Sequence, residues 1–212
     1  MKRALLITLA LVSCLAAKAQ LPTIRPTHTF KVPNISHATY KSGAYFNEDN
    51  ELFWDLHCSD YTCNGESVVA SSSLSSQGSN SYRASNIKDW NHETAWVEGV
   101  SGFGIGEWIE FQNISGDGST FTAVTILNGY VKSDKAWSEN ARVKRLKVYR
   151  DGRPLCILEL QNSRSLQTFG LQWIGDCSHI NRLRFEILEV YPGTKYKDTV
   201  ISEIIFDGIG CL

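Results

Sequence analysis

Arg142-Val143-Lys144-Arg145-Leu146-Lys147-Val148-Tyr149-Arg150-Asp151-Gly152-Arg153-Pro154-Leu155-Cys156-Ile157-Leu158-Glu159-Leu160 decides the fold of this chain. Leu146 and Val148 fall on one side of an extended backbone, and Arg145, Lys147 and Tyr149 on the other. That period of two belongs to a half-buried strand. Asp151-Gly152 is a hairpin turn, because aspartate and glycine tolerate the positive φ that tight two-residue turns require. Leu155 to Leu160 then reads as the returning strand. The same alternation appears at Trp108-Ile109-Glu110-Phe111 and at Arg182 to Leu188, where Leu183, Phe185 and Ile187 oppose Arg182, Arg184 and Glu186. Phe121 to Tyr130 is rich in β-branched and aromatic residues. With no amphipathic helix longer than a turn or two, these short strands predict an all-β, antiparallel β-sandwich.

The ends divide the chain further. Lys2 and Arg3 precede an apolar run from Ala4 to Ala16, and Ala17-Lys18-Ala19 fits a small-x-small cleavage site. Residues 1–19 are therefore expected to be a signal peptide, residues 20–66 an N-terminal extension or linker, and residues 67–212 the β-domain. The chain is expected to be exported. Leu11-Val12-Ser13-Cys14 also fits a lipobox, which would make Cys14 a lipid-anchored N-terminus. No later apolar run reaches the ~18 residues of a membrane span. Loss of Lys2, Arg3 and Lys18 changes 21 basic against 22 acidic residues to 18 against 22, a net charge of −4. That balance excludes an electrostatic footprint for nucleic acid or an anionic membrane.

Cys58, Cys63, Cys156, Cys177 and Cys211 would survive cleavage; in an exported chain disulfides are their default fate, and the odd count leaves one free or intermolecular. A bridge from Cys58 or Cys63 to Cys211 would tie the domain's ends, and Cys156 could join Cys177. Zinc held by His57, Cys58, Cys63 and a fourth ligand is the rival reading.

The loops carry the candidate chemistry. In Asn86-Ile87-Lys88-Asp89-Trp90-Asn91-His92-Glu93-Thr94-Ala95-Trp96, the oxygens of Asp89, Asn91 and Thr94 are spaced to converge on one hard cation. Glu203 stands alone among apolar neighbours in Ile201-Ser202-Glu203-Ile204-Ile205-Phe206. Together they suggest a structural calcium; the competing reading is an Asx turn followed by a strand with one solvated acid. Trp90, Trp96, Phe103, Tyr130, Trp137, Tyr191 and Tyr196 fall near strand ends, accompanied by Glu98, Asn128, Lys132, Asn140 and Arg142. Ring faces beside fixed donors and acceptors suit a sugar, although each aromatic taken singly suits core or rim packing better. No Gly-x-Ser-x-Gly, His-Glu-x-x-His or phosphate loop is present, and Gly102-Phe103-Gly104-Ile105-Gly106 precedes a strand rather than a helix. Glu98 and Glu107 form the one tempting acid pair for a glycan-active enzyme, which would need both facing one cleft.

Five segments carry a resemblance. Thr94-Ala95-Trp96-Val97-Glu98-Gly99, Gly104-Ile105-Gly106-Glu107-Trp108-Ile109, Asn128-Gly129-Tyr130-Val131-Lys132, Asn140-Ala141-Arg142-Val143-Lys144 and Tyr191 to Glu203 resemble, in order, the coagulation factor 5/8 type C (discoidin-like) domain associated with NAD glycohydrolases. The resemblance implies a galactose-binding-like jelly roll, a structural calcium and a non-catalytic, glycan-binding role. As cation ligands it implies Asp89, Asn91, Thr94 and Glu203, assisted by main-chain oxygens near Lys88. Asn91 stands where Gly or Asp is common, and a neutral amide weakens such a site. As glycan contacts it implies Trp96, Glu98, Asn128, Tyr130, Lys132, Asn140 and Arg142. A protein or lipid head group is the alternative partner, in an adhesion or assembly role. The 47 residues from Gln20 to Glu66 fall below usual domain size, so no glycohydrolase domain is expected there.

Overall fold

A computed structural model describes residues 20–31, 40–41, 44–46, 52–55, 67–89, 91–113, 119–170 and 180–210. The expected signal peptide, with Cys14, lies outside the described residues, as do His57, Cys58, Cys63, Trp90, Cys177 and Cys211. Among the described residues no helix is long and apolar enough to cross a membrane.

The domain is the predicted jelly-roll sandwich. One layer runs β2 (His28–Lys31), β12 (Ser165–Gly170), β9 (Ser119–Asn128) and β14 (Thr199–Gly210), with β7 (Trp96–Val97) also pairing β14. The other runs β1 (Thr23–Ile24), β11 (Arg153–Glu159), β10 (Ala141–Arg150), β13 (Arg182–Tyr191), β8 (Trp108–Gln112) and β6 (Ser67–Ala70). Parallel pairing of Ala141 with Thr199 and of Arg142 with Val200 joins the layers at one end. A separate three-stranded sheet comprises β3 (Tyr40–Lys41), β4 (Ala44–Phe46) and β5 (Leu52–Asp55).

The hairpin forms as its residues require. Arg150 pairs with Arg153, and the two residues between them have φ of 48° at Asp151 and 80° at Gly152. Positive φ at both positions is the type I′ geometry whose twist matches the strands it joins. Leu146 and Val148 face inward and are completely buried. They meet Ile126, Ile204 and Phe206 of the opposite layer in one core. At its centre Phe111 packs edge-on against Phe185 and Phe206, at centroid distances of 6.0 and 4.8 Å. Such pairs add about 0.5–1.5 kcal/mol each beyond the area they bury.

One expectation needs correction here. Cys156 is a free thiol among the described residues, fully buried in the core. Burial pushes its pKa up to about 12, so it serves as a small apolar residue rather than half of a bridge. The N-terminal extension contributes strands to the sandwich. β1 pairs with β11 and β2 pairs with β12, covering one edge in each layer. A covered edge leaves fewer unpaired backbone groups to template association.

Candidate functional site

At one end of the sandwich the loops enclose a pocket of about 210 Å³. Leu74, Tyr82, Val97 and Tyr130 supply its apolar surface, while Gln77, Glu139, Asn140 and Asp198 supply polar groups and Tyr196 stands at the side. Tyr196 is 41% exposed, one of the few large apolar groups facing water among the described residues. Tyr130 is half-buried, and burial raises its phenol pKa, with Tyr82 and Glu93 adding to the effect.

The walls are held by backbone bonds that the sequence arranges. Ser133 caps the short helix α1 (Asp134–Glu139), its hydroxyl accepting from the Ala136 N–H at 3.1 Å. At the other end of α1 the Glu139 carbonyl accepts from the N–H groups of Lys195 and Tyr196, at 3.1 and 2.8 Å. The Ser138 carbonyl accepts from the Thr194 N–H at 3.0 Å. These otherwise orphaned carbonyls thus fix the loop that carries Tyr196 and Asp198. Arg142 locks the corner: its Nη1 donates to the carbonyls of Trp137 and Asn140, both at 2.8 Å, and its Nε to Asn162 Oδ1 at 2.9 Å. Its guanidinium also lies 4.2 Å from the centroid of the Trp137 ring. Only glycine fits at 129, where φ is 84° and a Cβ would fall 2.8 Å from both Trp137 Cδ1 and Arg142 Cγ.

Beside the pocket lies a polar cleft of about 350 Å³, whose lining includes Asn80, Ser81, Arg83, Asp89, Thr94 and Lys132. Tyr130 lines both cavities. Along one wall the Asn91 N–H donates to Asp89 Oδ1 at 3.0 Å and the Glu93 N–H to Asn91 Oδ1 at 3.0 Å. The Thr94 hydroxyl lies 2.8 Å from both Asp89 Oδ2 and the Asn91 carbonyl oxygen. The Asx turn is therefore formed, and it is this turn that gathers the oxygens of Asp89, Asn91 and Thr94. Glu203 is completely buried on β14, opposite Leu127 in register. The 3-10 helix Ala84–Lys88, which leads into Asp89, packs on the same strand. Burial lowers the pKa of the Lys88 ammonium. Among the described residues no three His, Cys, Asp or Glu side chains come together. An ion here would depend on hydroxyl, amide and carbonyl oxygens beside its carboxylates, a donor set that fits calcium and not a transition metal.

Of the seven residues expected to contact a glycan, three line the cavities: Tyr130 and Asn140 the pocket, Tyr130 and Lys132 the cleft. The other four are corrected to supporting roles by their burial. Trp96 is 0% exposed in the core, its Nε1 donating to the Ser72 carbonyl at 3.0 Å. Glu98 is 0% exposed and accepts from the N–H groups of Val100 and Thr199 at 2.9 and 3.1 Å. Asn128 pairs with both backbone groups of Val143, at 2.7 and 3.0 Å. Arg142 is the buried clamp already described. Glu107 accepts from the hydroxyls of Ser71 and Ser72. The acid pair is thus spent on fixing backbone and loops. Leu74, Gln77, Tyr82, Glu139 and Asp198 escaped the sequence reading; a lone tyrosine ending the serine-rich tract 71–81 was the one visible sign.

No curated protein sequence matches this chain. Among solved structures, CpGH89CBM32-5 from Clostridium perfringens, in complex with GalNAc-β-1,3-galactose, is 18% identical over 66% of this chain, with a TM-score of 0.48. The CBM32-1 and CBM32-2 domains of Clostridium perfringens ZmpB are 9% identical over 68%, with a TM-score of 0.48. Arabinofuranosyltransferase AftD from Mycobacteria is 16% identical over 86%, with a TM-score of 0.46. The chain spans 94% of the first of these but 34% and 12% of the other two. The sequence model of the NAD glycohydrolase translocation F5/8 type C domain matches residues 60–207, which take in the sandwich from β6 into β14, and the chain belongs to that family.

Proposed function

We propose that this chain is an exported, non-catalytic carbohydrate-binding module. The observation that carries the reading is the pocket itself. Tyr82, Tyr130 and Leu74 form an apolar wall, and Gln77, Glu139, Asn140 and Asp198 place amides and carboxylates around it. A pyranose has one such apolar face and a rim of hydroxyls, so it satisfies both surfaces at once. Calcium completes the reading: Asp89, Asn91, Thr94 and Glu203 would hold it, and its charge would offset the two carboxylates and stiffen the loop. The test is a glycan array of the folded chain, read with calcium and again with EDTA. Binding to a defined sugar class, with a lower Tm in EDTA, supports both parts. An unchanged Tm removes the calcium and leaves the sugar.

A second reading has its own observation. Val100 and Ile105 are 39% and 57% exposed on the glycine-rich loop, which favours a protein partner in adhesion or assembly. Silence on the array, together with capture of one defined protein that Ile105→Asp abolishes, would establish it.

A further inference from the structure

We infer that the site takes a neutral oligosaccharide of at least two rings, the second lying in the polar cleft beyond Tyr130. This rests on the reading of the neighbouring pocket as a sugar site and adds the size and charge of its ligand.

The pocket, at about 210 Å³, is smaller than the ~300–1,000 Å³ usual for a small-molecule site, whereas pocket and cleft together fall well inside that range. The two are neighbouring compartments built on shared walls. Tyr130 is one such wall, with its hydroxyl 3.4 Å from the Glu93 carbonyl, a residue of the cleft. The other is a tight turn in which the N–H groups and carbonyls of Gln77 and Asn80 pair reciprocally at 3.0 Å. Gln77 belongs to the pocket and Asn80 to the cleft. The chain continues in the same manner: Tyr82 lines the pocket, and Ser81 and Arg83 on either side of it line the cleft. A ligand crossing from one compartment to the other therefore meets groups already fixed in place, which keeps the ordering cost of binding low.

The chemistry changes at the crossing. The pocket offers aromatic and aliphatic surface; the cleft offers hydroxyls, amides and charges. Lys132 Nζ donates to Asn80 Oδ1 at 3.3 Å, a pair drawn from two different loops. An ammonium has three donors and this bond takes one, so ring hydroxyls can take the others. Arg83 and Lys132 in the cleft are matched by Asp89 and Glu93, and the pocket adds Glu139 and Asp198 without a cation. Two cations against four carboxylates leave the lining acidic by two, and a calcium on Asp89 would bring it only to neutral, so it accepts neutral hydroxyl-rich rings and offers a sulfated chain no cationic excess.

The test is calorimetric titration of the full chain with glucose, galactose, mannose and N-acetylglucosamine, and with a neutral β-linked disaccharide of each. A sulfated heparin disaccharide is the charged probe. The expected result is a neutral disaccharide bound at least about tenfold more tightly than its monosaccharide. Asn80→Ala and Lys132→Ala, each checked for an unchanged Tm, should bring that ratio towards one, and Tyr82→Ala should weaken both ligands together. A monosaccharide bound as well as its disaccharide overturns this inference and leaves the sugar pocket standing. So does a ratio that persists in both cleft variants, or tighter binding of the sulfated probe. Failure of every probe to bind overturns the pocket reading and this inference with it.

Discussion

The ring of Tyr130 stands edge-on to that of Tyr82, with centroids 6.4 Å apart and planes at 82°. An edge-to-face pair fixes both rings while leaving ring surface for a third partner. Removing either ring should take the apolar wall from the pocket. Tyr82→Ala and Tyr130→Ala are each expected to weaken sugar binding roughly tenfold or more, since about 1.4 kcal/mol is a factor of ten. Tyr130→Phe keeps the ring and should retain most of the affinity. Calorimetry on the three variants decides; equal losses for Phe and Ala at 130 would move the contact from the ring to the hydroxyl.

Trp96 should behave in the opposite way. Its side chain is fully buried and its Nε1 is satisfied by the Ser72 carbonyl. Trp96→Ala leaves a large core cavity, expected to cost about 3–5 kcal/mol, a large part of the ~5–15 kcal/mol that holds a domain together. Urea unfolding of wild type and variant measures this directly. A variant with wild-type stability and lost sugar binding would return Trp96 to the site.

The contrast between these residues shows what was legible in the sequence. Strand alternation revealed the layers because period two survives wherever one face is buried, and Asp151-Gly152 revealed its hairpin because φ chemistry is local. Tyr130 and Trp96, by contrast, look alike in sequence. Both are aromatics at strand ends, and only packing distinguishes the one at a cavity from the one in the core. Tyr82, Glu139 and Asp198 come from three separate segments, a loop, the end of α1 and another loop, and the bonds from α1 to residues 194–196 bring the last two together. No local pattern records such a meeting. The edge pairing of β1 and β2 was hidden for a related reason: strands of two and four residues are too short for periodicity to show.

Arg142 should influence the sugar without touching it. It holds the carbonyls of Trp137 and Asn140, and so the end of α1 that presents Glu139 and Asn140 to the pocket. Arg142→Lys keeps the charge but cannot make the forked contact. Affinity is expected to fall several-fold along with Tm. Faster amide hydrogen exchange at Thr194, Lys195 and Tyr196 should accompany it, because those N–H groups hang on the carbonyls of Ser138 and Glu139. Lost affinity with unchanged Tm and unchanged exchange would instead make Arg142 a direct contact.

Glu98 gives a prediction whose sign tests the balance of forces around it. Burial raises its pKa; the N–H groups of Val100 and Thr199 oppose that, and Asp198 and Glu107 add to it. A carboxyl whose folded pKa is raised binds its proton more readily folded than unfolded. Its contribution to stability therefore falls as pH climbs from the unfolded value, about 4.3, through the raised folded value. The Tm difference between wild type and Glu98→Gln should accordingly decline across that window and stay flat on either side of it. Differential scanning from pH 3.5 to 7 measures this, with the subtraction cancelling the other carboxylates. A difference that grows with pH would mean that the two backbone donors outweigh burial, and that Glu98 is held as a fully charged clasp on the loop leading to Thr199.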